Sequence, residues 1–275
     1  MKAGIHLPQI DLRGEGLSLR RLTDAAAAAV ECGFSALSVN DHLVFRRPWL
    51  DGPTALAAVL DRSADLTVMT SIALPAVRGA VPLAKTLAAL DVLSSGRLVA
   101  GVGPGSSEAD YAAVGVPFAE RWRRFDAAVP VLRELAPGVP LWIGSWGSAA
   151  GLRRVAQIGD GWLASAYNTD PPQFAECLDR LGGPAFPHAL GTMWTWVTQS
   201  AAEADRVLAE VVAPLVGRDP ATLRGRVCVG SAAECARLLS RYAGAGCRQV
   251  QFWPVGDERR QLELLATEVL PRVAA

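Results

Sequence analysis

Histidine and lysine are scarce in this chain. It holds three histidines, His6, His42 and His188, and two lysines, Lys2 and Lys85. The other basic residues are arginines, and 27 basic side chains balance 27 acidic ones. No basic stretch interleaves with aromatics, which argues against a nucleic-acid partner. The five cysteines, Cys32, Cys177, Cys228, Cys235 and Cys247, are odd in number and form no C-x-x-C pair. They read as small buried hydrophobes in a reducing compartment, not as a disulfide frame or a metal site. No apolar run reaches the roughly 18 residues of a membrane helix. The stretch MKAGIHLPQID is broken by Pro8 and Asp11, unlike a signal peptide. A soluble, cytoplasmic protein is expected. There is no linker, low-complexity tract or clean repeat, so residues 1–275 are expected to form a single domain.

Hydrophobic residues make up 51% of the chain, enough for a large core. Short apolar runs alternate with longer amphipathic ones. The short runs predict eight strands: Ala3–Leu7, Ala36–Val39, Leu66–Ala73, Arg97–Val102, Leu141–Gly144, Gly161–Ala164, Met193–Thr198 and Arg248–Trp253. Helical patterns cover Leu19–Cys32, Val81–Leu93, Glu120–Leu135, Ala149–Ile158, Pro172–Leu181, Ala201–Leu215, Ala232–Gly244 and Glu258–Val273. Strand–helix alternation implies parallel strands with crossover helices. Eight such units predict a (β/α)8 TIM barrel. A doubly wound sheet would want a glycine fingerprint after the first strand, and His6-Leu7-Pro8-Gln9 is not one. Ser18, Thr54, Asp170 and Ser231 are predicted N-caps.

In such a barrel the active site lies at the C-terminal ends of the strands. Polar residues there face the pocket. They are His6 after strand one, Asn40-Asp41-His42 after strand two, and Thr70-Ser71 after strand three. Gly101, Gly103, Gly105 and Ser106 follow from strand four, and Gly144–Ser148 from strand five. Ser165, Tyr167, Trp194, Trp196, Gln251 and Trp253 complete the set. A pocket rich in aromatics and small residues and short of acids suits a large flat ring better than a sugar or a metal. Gly144–Ser148 opens a helix, and its bare N–H groups, two hydroxyls and positive helix end suit a phosphate ester. His188, in a Gly/Pro stretch, reads as a solvated loop residue. Arg121, Arg123 and Arg124 read as a solvated helix face, or as contacts for an anionic cofactor tail.

Three stretches together resemble the luciferase-like flavin/deazaflavin oxidoreductase superfamily: SVNDHLV, LDVLSSGRLVAGVGPG (90–105) and PLWIGSWGSAAGLRRVAQIGDGW (140–162). VPFAERWRR and LLATEVLPRV continue the likeness. The resemblance implies a (β/α)8 barrel that binds FMN or the deazaflavin coenzyme F-420. It implies a phosphate site at Gly144, Ser145, Gly147 and Ser148, and a histidine near the reactive ring, His42. It also implies a non-proline cis peptide at Ser71–Ile72 behind the ring. The Asp41-His42 form resembles the F-420 branch more than the luciferase branch. His6, Gly101 and Gly103 are expected against the cofactor, and Trp194, Trp196 and Trp253 along the substrate. Asp41 either orients His42 or caps the following turn. A homodimer is expected from the resemblance alone.

Two departures narrow the reaction. The glutamate acid of F-420 sugar-phosphate dehydrogenases is replaced by Ser106, with Glu108 read as a helix-start residue. No lysine lies beyond Lys85 to hold a substrate phosphate. The segment between Leu135 and Pro140 is also short. Hydride transfer between F-420 and an apolar or aromatic small molecule is therefore the leading expectation. An FMN-dependent monooxygenase served by a separate reductase is the second, and a non-catalytic flavin-binding barrel the third. A phosphate-sugar isomerase on the same barrel lacks an obvious base and acid.

Overall fold

The computed structural model describes residues 1–274. Nine strands form one parallel sheet: β1 Lys2–His6, β2 Ala36–Val39, β3 Thr67–Ala73, β4 Leu98–Val102, β5 Leu141–Gly144, β6 Gly161–Ser165, β7 His188–Val197, β8 Cys228–Gly230 and β9 Gln249–Pro254. Strands β1 to β7 pair in sequence, β7 pairs with β9, and β9 pairs back with β1. Eight parallel strands thus close a (β/α)8 barrel as a single unit. Strand β8 stands outside the ring and pairs only with the end of β7, Thr195 with Cys228.

The helices form where caps and buried stripes coincide. Ser18 caps Leu19–Glu31, whose buried alanines let it lie close to the sheet. A capping box of Ser231 and Glu234 opens Ala232–Gly244. Asp170 caps Pro171–Arg180, with Pro171 in the first turn, where its missing N–H costs nothing. The short helix Gly52–Ala58 is capped by Asp51, whose carboxylate accepts from Thr54 N at 2.9 Å. Thr54 is thus the capped residue and not the cap. The expected helices Ala201–Leu215 and Glu258–Val273 both break. Each loosens into a widened turn, at Val207–Val212 and Leu265–Val269, just before a proline that cannot donate, Pro214 or Pro271.

Strand β7 corrects a second expectation. It begins at His188, not Met193, and is interrupted at Thr192, where φ is +52° and the register with β9 shifts. His188 is therefore a buried strand residue at the barrel's N-terminal end. Its Nδ1 donates to Phe186 O at 2.7 Å, and its Nε2 accepts from Arg248 N at 3.1 Å. Burial lowers its pKa. The five cysteines are free thiols, four buried and Cys32 half-buried.

Candidate active site

A cavity of about 360 Å³ opens at the C-terminal end of the barrel. Asn40, Asp41 and His42 line one side, with Ser71, Ile72 and Leu74 behind them. Phe118, Arg121 and Trp122 line another wall, and Gly144, Ser145, Trp146 and Ser148 a third. Leu163, Ser165, Tyr167 and Thr192 close the far side. The cavity sits over the β2–β7 half of the barrel mouth.

The Ser71–Ile72 peptide bond is cis. Its carbonyl accepts from Asn40 Nδ2 at 2.9 Å. Asn40 is itself clamped by Gln9, which accepts from Asn40 N at 2.6 Å and donates to Asn40 O at 2.8 Å. Ile72 then reaches across Gly103 and Gly144, where a Cβ would stand 2.4 Å and 3.0 Å from its side chain. Those two glycines make room for the wall of the cavity. Gly101 does not reach the cavity: a Cβ there would meet Leu163 and the Thr70 carbonyl, inside the barrel.

His42 lies on the wall with its Nδ1 2.7 Å from Asp110 Oδ2. Asp110 is 1% exposed and its Oδ1 accepts from Leu43 N and Val44 N at 2.8 and 3.0 Å. Burial alone would raise the Asp110 carboxyl. The bonds from His42, Val44 and Leu43 outweigh it and hold the group below the ordinary carboxylate range. An ionised Asp110 only accepts, so His42 Nδ1 carries the proton and Nε2 is left as the free nitrogen. Asp41 takes no part in this. Its carboxylate binds Arg78 through Nε and Nη2, both at 2.6 Å, and accepts from Leu74 N. Asp41 therefore anchors the segment after the cis bond, and Asp110 orients the histidine. Asp110 is 68 residues from His42 in sequence; its only signal was a carboxylate in the first turn of the helix Glu108–Ala113.

Ser148 caps the helix Ala149–Ile158 and accepts from Gly151 N at 3.1 Å, while Ser145 Oγ accepts from Gly147 N at 3.3 Å. A Cβ on Gly151 would meet Ser145 Oγ at 2.2 Å and Ser148 Oγ at 3.0 Å, so the two hydroxyls converge at the helix start. Gly147 has φ +89°, a left-handed conformation that favours glycine. The Ser148 cap takes Gly151 N, which leaves the N–H groups of Ala149 and Ala150 without a partner in the helix and open to an anion. Arg121 reaches the cavity with its guanidinium 4.1 Å over Phe118, while Arg123 and Arg124 pair with Glu120.

His6, Trp194, Trp196 and Trp253 are buried and do not line the cavity. His6 stacks on Trp253 at 3.9 Å, and Trp253 on Trp194 at 4.2 Å. Trp196 lies under the Arg13 guanidinium at 4.3 Å. The cause is register. Parallel pairing puts Gly4 beside Gln251, so His6 and Trp253, two residues on, share the inner face of the barrel. The aromatics that do line the cavity, Phe118, Trp122, Trp146 and Tyr167, come from the loops and helix starts after β4, β5 and β6.

The sequence profile of luciferase-like monooxygenases matches residues 3–185, more than half of the chain. The chain belongs to the luciferase-like monooxygenase family. Among curated relatives, an F-420-dependent glucose-6-phosphate dehydrogenase of Amycolatopsis mediterranei is 33% identical over 124 residues, covering 42% of this chain and 37% of that protein. One from Microbacterium testaceum is 29% identical over 194 residues, covering 57% of this chain and 55% of that protein. The matched region thus spans little more than half of these relatives at most. Among solved structures, an F-420-dependent secondary alcohol dehydrogenase in complex with an F-420–acetone adduct superposes with TM-score 0.81 at 19% identity, covering 100% and 99% of the two chains. A type II Baeyer–Villiger monooxygenase of Pseudomonas putida in complex with FMN gives 0.74 at 15%, again over 100% and 99%. At these identities the structures establish the shared luciferase-like fold alone.

Proposed function

We propose that this luciferase-like chain is an oxidoreductase that binds coenzyme F-420 in the barrel-mouth cavity and exchanges hydride with an uncharged small molecule. The observation that carries the reading is the His42–Asp110 pair on the wall of that cavity, across from a helix start furnished with two converging hydroxyls. The residues present fit the cofactor. Ser145, Ser148 and the start of Ala149–Ile158 suit its phosphate, Arg121 suits an acidic tail, and Ile72 and Leu163 give an apolar seat for a flat ring. The deazaflavin would supply two-electron hydride chemistry. His42 would hold or release a proton at Nε2, with Asp110 fixing the ring and its tautomer. The names of the curated relatives favour F-420 over FMN, and the FMN-bound fold neighbour keeps reduced-flavin oxygenation as the second reading.

The substrate differs from that of the named sugar-phosphate relatives. Arg121 is the only arginine or lysine along the cavity among the described residues, and the position of the expected acid is Ser106. An anaerobic turnover test decides between the readings. Reduced F-420 and a panel of simple ketones should give oxidised cofactor, and His42→Ala should slow this about 10²-fold or more. Oxygen uptake with reduced FMN, and no ketone reduction, would move the enzyme to the second reading.

A further inference from the structure

A second cavity, of about 890 Å³, lies at the opposite end of the barrel, where β1, β5, β7 and β9 begin. That is within the size range of small-molecule sites. Strand alternation decides which side chains look into it. Gly4 and Gln251 meet inside the barrel, since a Cβ on Gly4 would fall 2.1 Å from the Gln251 amide oxygen. Lys2 and Gln249, two residues before each, pair in register and share that inner face one layer lower. Trp142 joins them from β5. Its indole lies over Gly161, where a Cβ would stand 2.6 Å from the ring. The cavity wall is pinned from outside the barrel. Phe186 O accepts from His188 Nδ1 at 2.7 Å, and Pro184 packs on Gly246, where a Cβ would stand 2.9 Å from its Cγ.

The charge in this cavity is of one sign. Lys2 and Arg248 line it, and among the described residues no aspartate or glutamate does. Arg248 is held by its backbone: its N donates to His188 Nε2 at 3.1 Å, and its O accepts from Lys2 N at 2.7 Å. Among the described residues neither the ammonium nor the guanidinium has an acidic partner, so both are left for a ligand. Beside them stand a half-buried indole and the half-buried Phe186 ring. We propose that this lower cavity is a binding site for a flat aromatic carboxylate, separate from the barrel-mouth site. The carboxylate meets Lys2 and Arg248 in charge-assisted bonds, and the Gln249 amide adds a neutral donor. The ring lies against Trp142 and Phe186. A neutral ring would leave both cations unpaired, and a non-planar anion would leave the aromatic surfaces poorly covered. The site does not depend on the cofactor reading above.

Calorimetric titration of the full chain with 2-naphthoate and 2-naphthamide, alike in shape and different in charge, tests the site. Naphthoate should saturate one site and bind about tenfold more tightly than the amide, the value of one charge-assisted bond. Decahydronaphthalene-2-carboxylate keeps the charge without the flat ring and should bind several-fold more weakly than naphthoate. Lys2→Gln combined with Arg248→Gln changes two exposed side chains and should abolish the preference for naphthoate over the amide, with an unchanged melt. Ser148→Asp adds negative charge to the barrel-mouth cavity and should leave naphthoate binding as it is. No saturable binding, equal affinity for naphthoate and the amide, or a preference that survives the double variant overturns the site. Equal binding of the decahydro acid overturns the aromatic class, and weaker naphthoate binding in Ser148→Asp would put the ligand in the barrel mouth instead.

Discussion

Replacing Asp110 with asparagine separates charge from shape at the centre of the site. The wild-type carboxylate accepts three bonds, from His42 Nδ1, Leu43 N and Val44 N. Asparagine has one acceptor oxygen. Facing Leu43 and Val44, it satisfies both backbone donors and turns its amide N–H towards His42. The imidazole must then accept at Nδ1 and carry its proton at Nε2, the reverse of the wild-type tautomer. Folding loses one charge-assisted bond and gains a neutral one, a cost of about 1–2 kcal/mol. Asp110→Ala leaves the backbone donors and the imidazole unpaired in a site only 1% exposed, and should cost about 3 kcal/mol or more. Urea unfolding gives the stabilities, and ¹⁵N chemical shifts of His42 give the tautomer. Asp110 also sets an acid limit. Its folded pKa is depressed, so its stabilisation is complete above the ordinary carboxylate value and is lost as pH falls through the lowered one. Below about pH 4 the wild type should lose stability that Asp110→Asn never had. Unchanged stability in both variants, or a His42 tautomer that ignores Asp110→Asn, would refute this assignment.

Further outcomes follow from the same geometry. Ser148→Asp keeps a good N-cap, so urea stability should stay within about 0.5 kcal/mol of wild type, while the added charge repels a phosphate at the helix start. Gly147→Ala puts a Cβ 2.8 Å from Cys177 Sγ at a φ of +89°, and should cost about 1–3 kcal/mol by the same measurement. His6 is fully buried and its pKa is lowered to about 3. The unfolded chain therefore takes up a proton at His6 that the folded chain refuses, and stability should fall by about 1.4 kcal/mol per pH unit below roughly pH 6. His6→Phe should flatten that slope; an unaltered slope would show that other groups cause it. Arg78→Met leaves the buried Asp41 carboxylate without its cation and loosens the Leu74 segment, so thermal stability and cofactor binding should both fall, as melting and paired titration would show.

Much of the architecture was legible because it is written locally. Short continuous apolar runs marked the eight barrel strands, buried on both faces, and serine and aspartate caps marked helix starts. The Gly144–Ser148 loop declared itself by composition, since only small residues leave a helix start open. The misreadings share a cause as well. His188 looked like loop because Gly182–Pro187 precedes it, yet its two ring nitrogens are claimed by Phe186 and Arg248, a contact across 60 residues. Strand β8 is three residues long and exists only because the end of β7 offers it an edge. In the sequence Asp41 reads as orienting His42 or capping the following turn, and Asp110 carries no such reading; the fold brings Arg78 to Asp41 and the imidazole to Asp110. The tryptophans were placed at the correct end of the barrel. That they turn inward and stack was fixed by register between β1, β7 and β9.

The central claim is that the barrel-mouth cavity is an F-420 site anchored at Ser148. Fluorescence titration of the purified chain with F-420 and with FMN, each repeated on Ser148→Asp, tests it most directly. The account predicts saturable binding of F-420, tighter than FMN, that is lost in the variant while the fold persists. Binding of FMN alone, binding of neither, or F-420 binding that survives Ser148→Asp would contradict it.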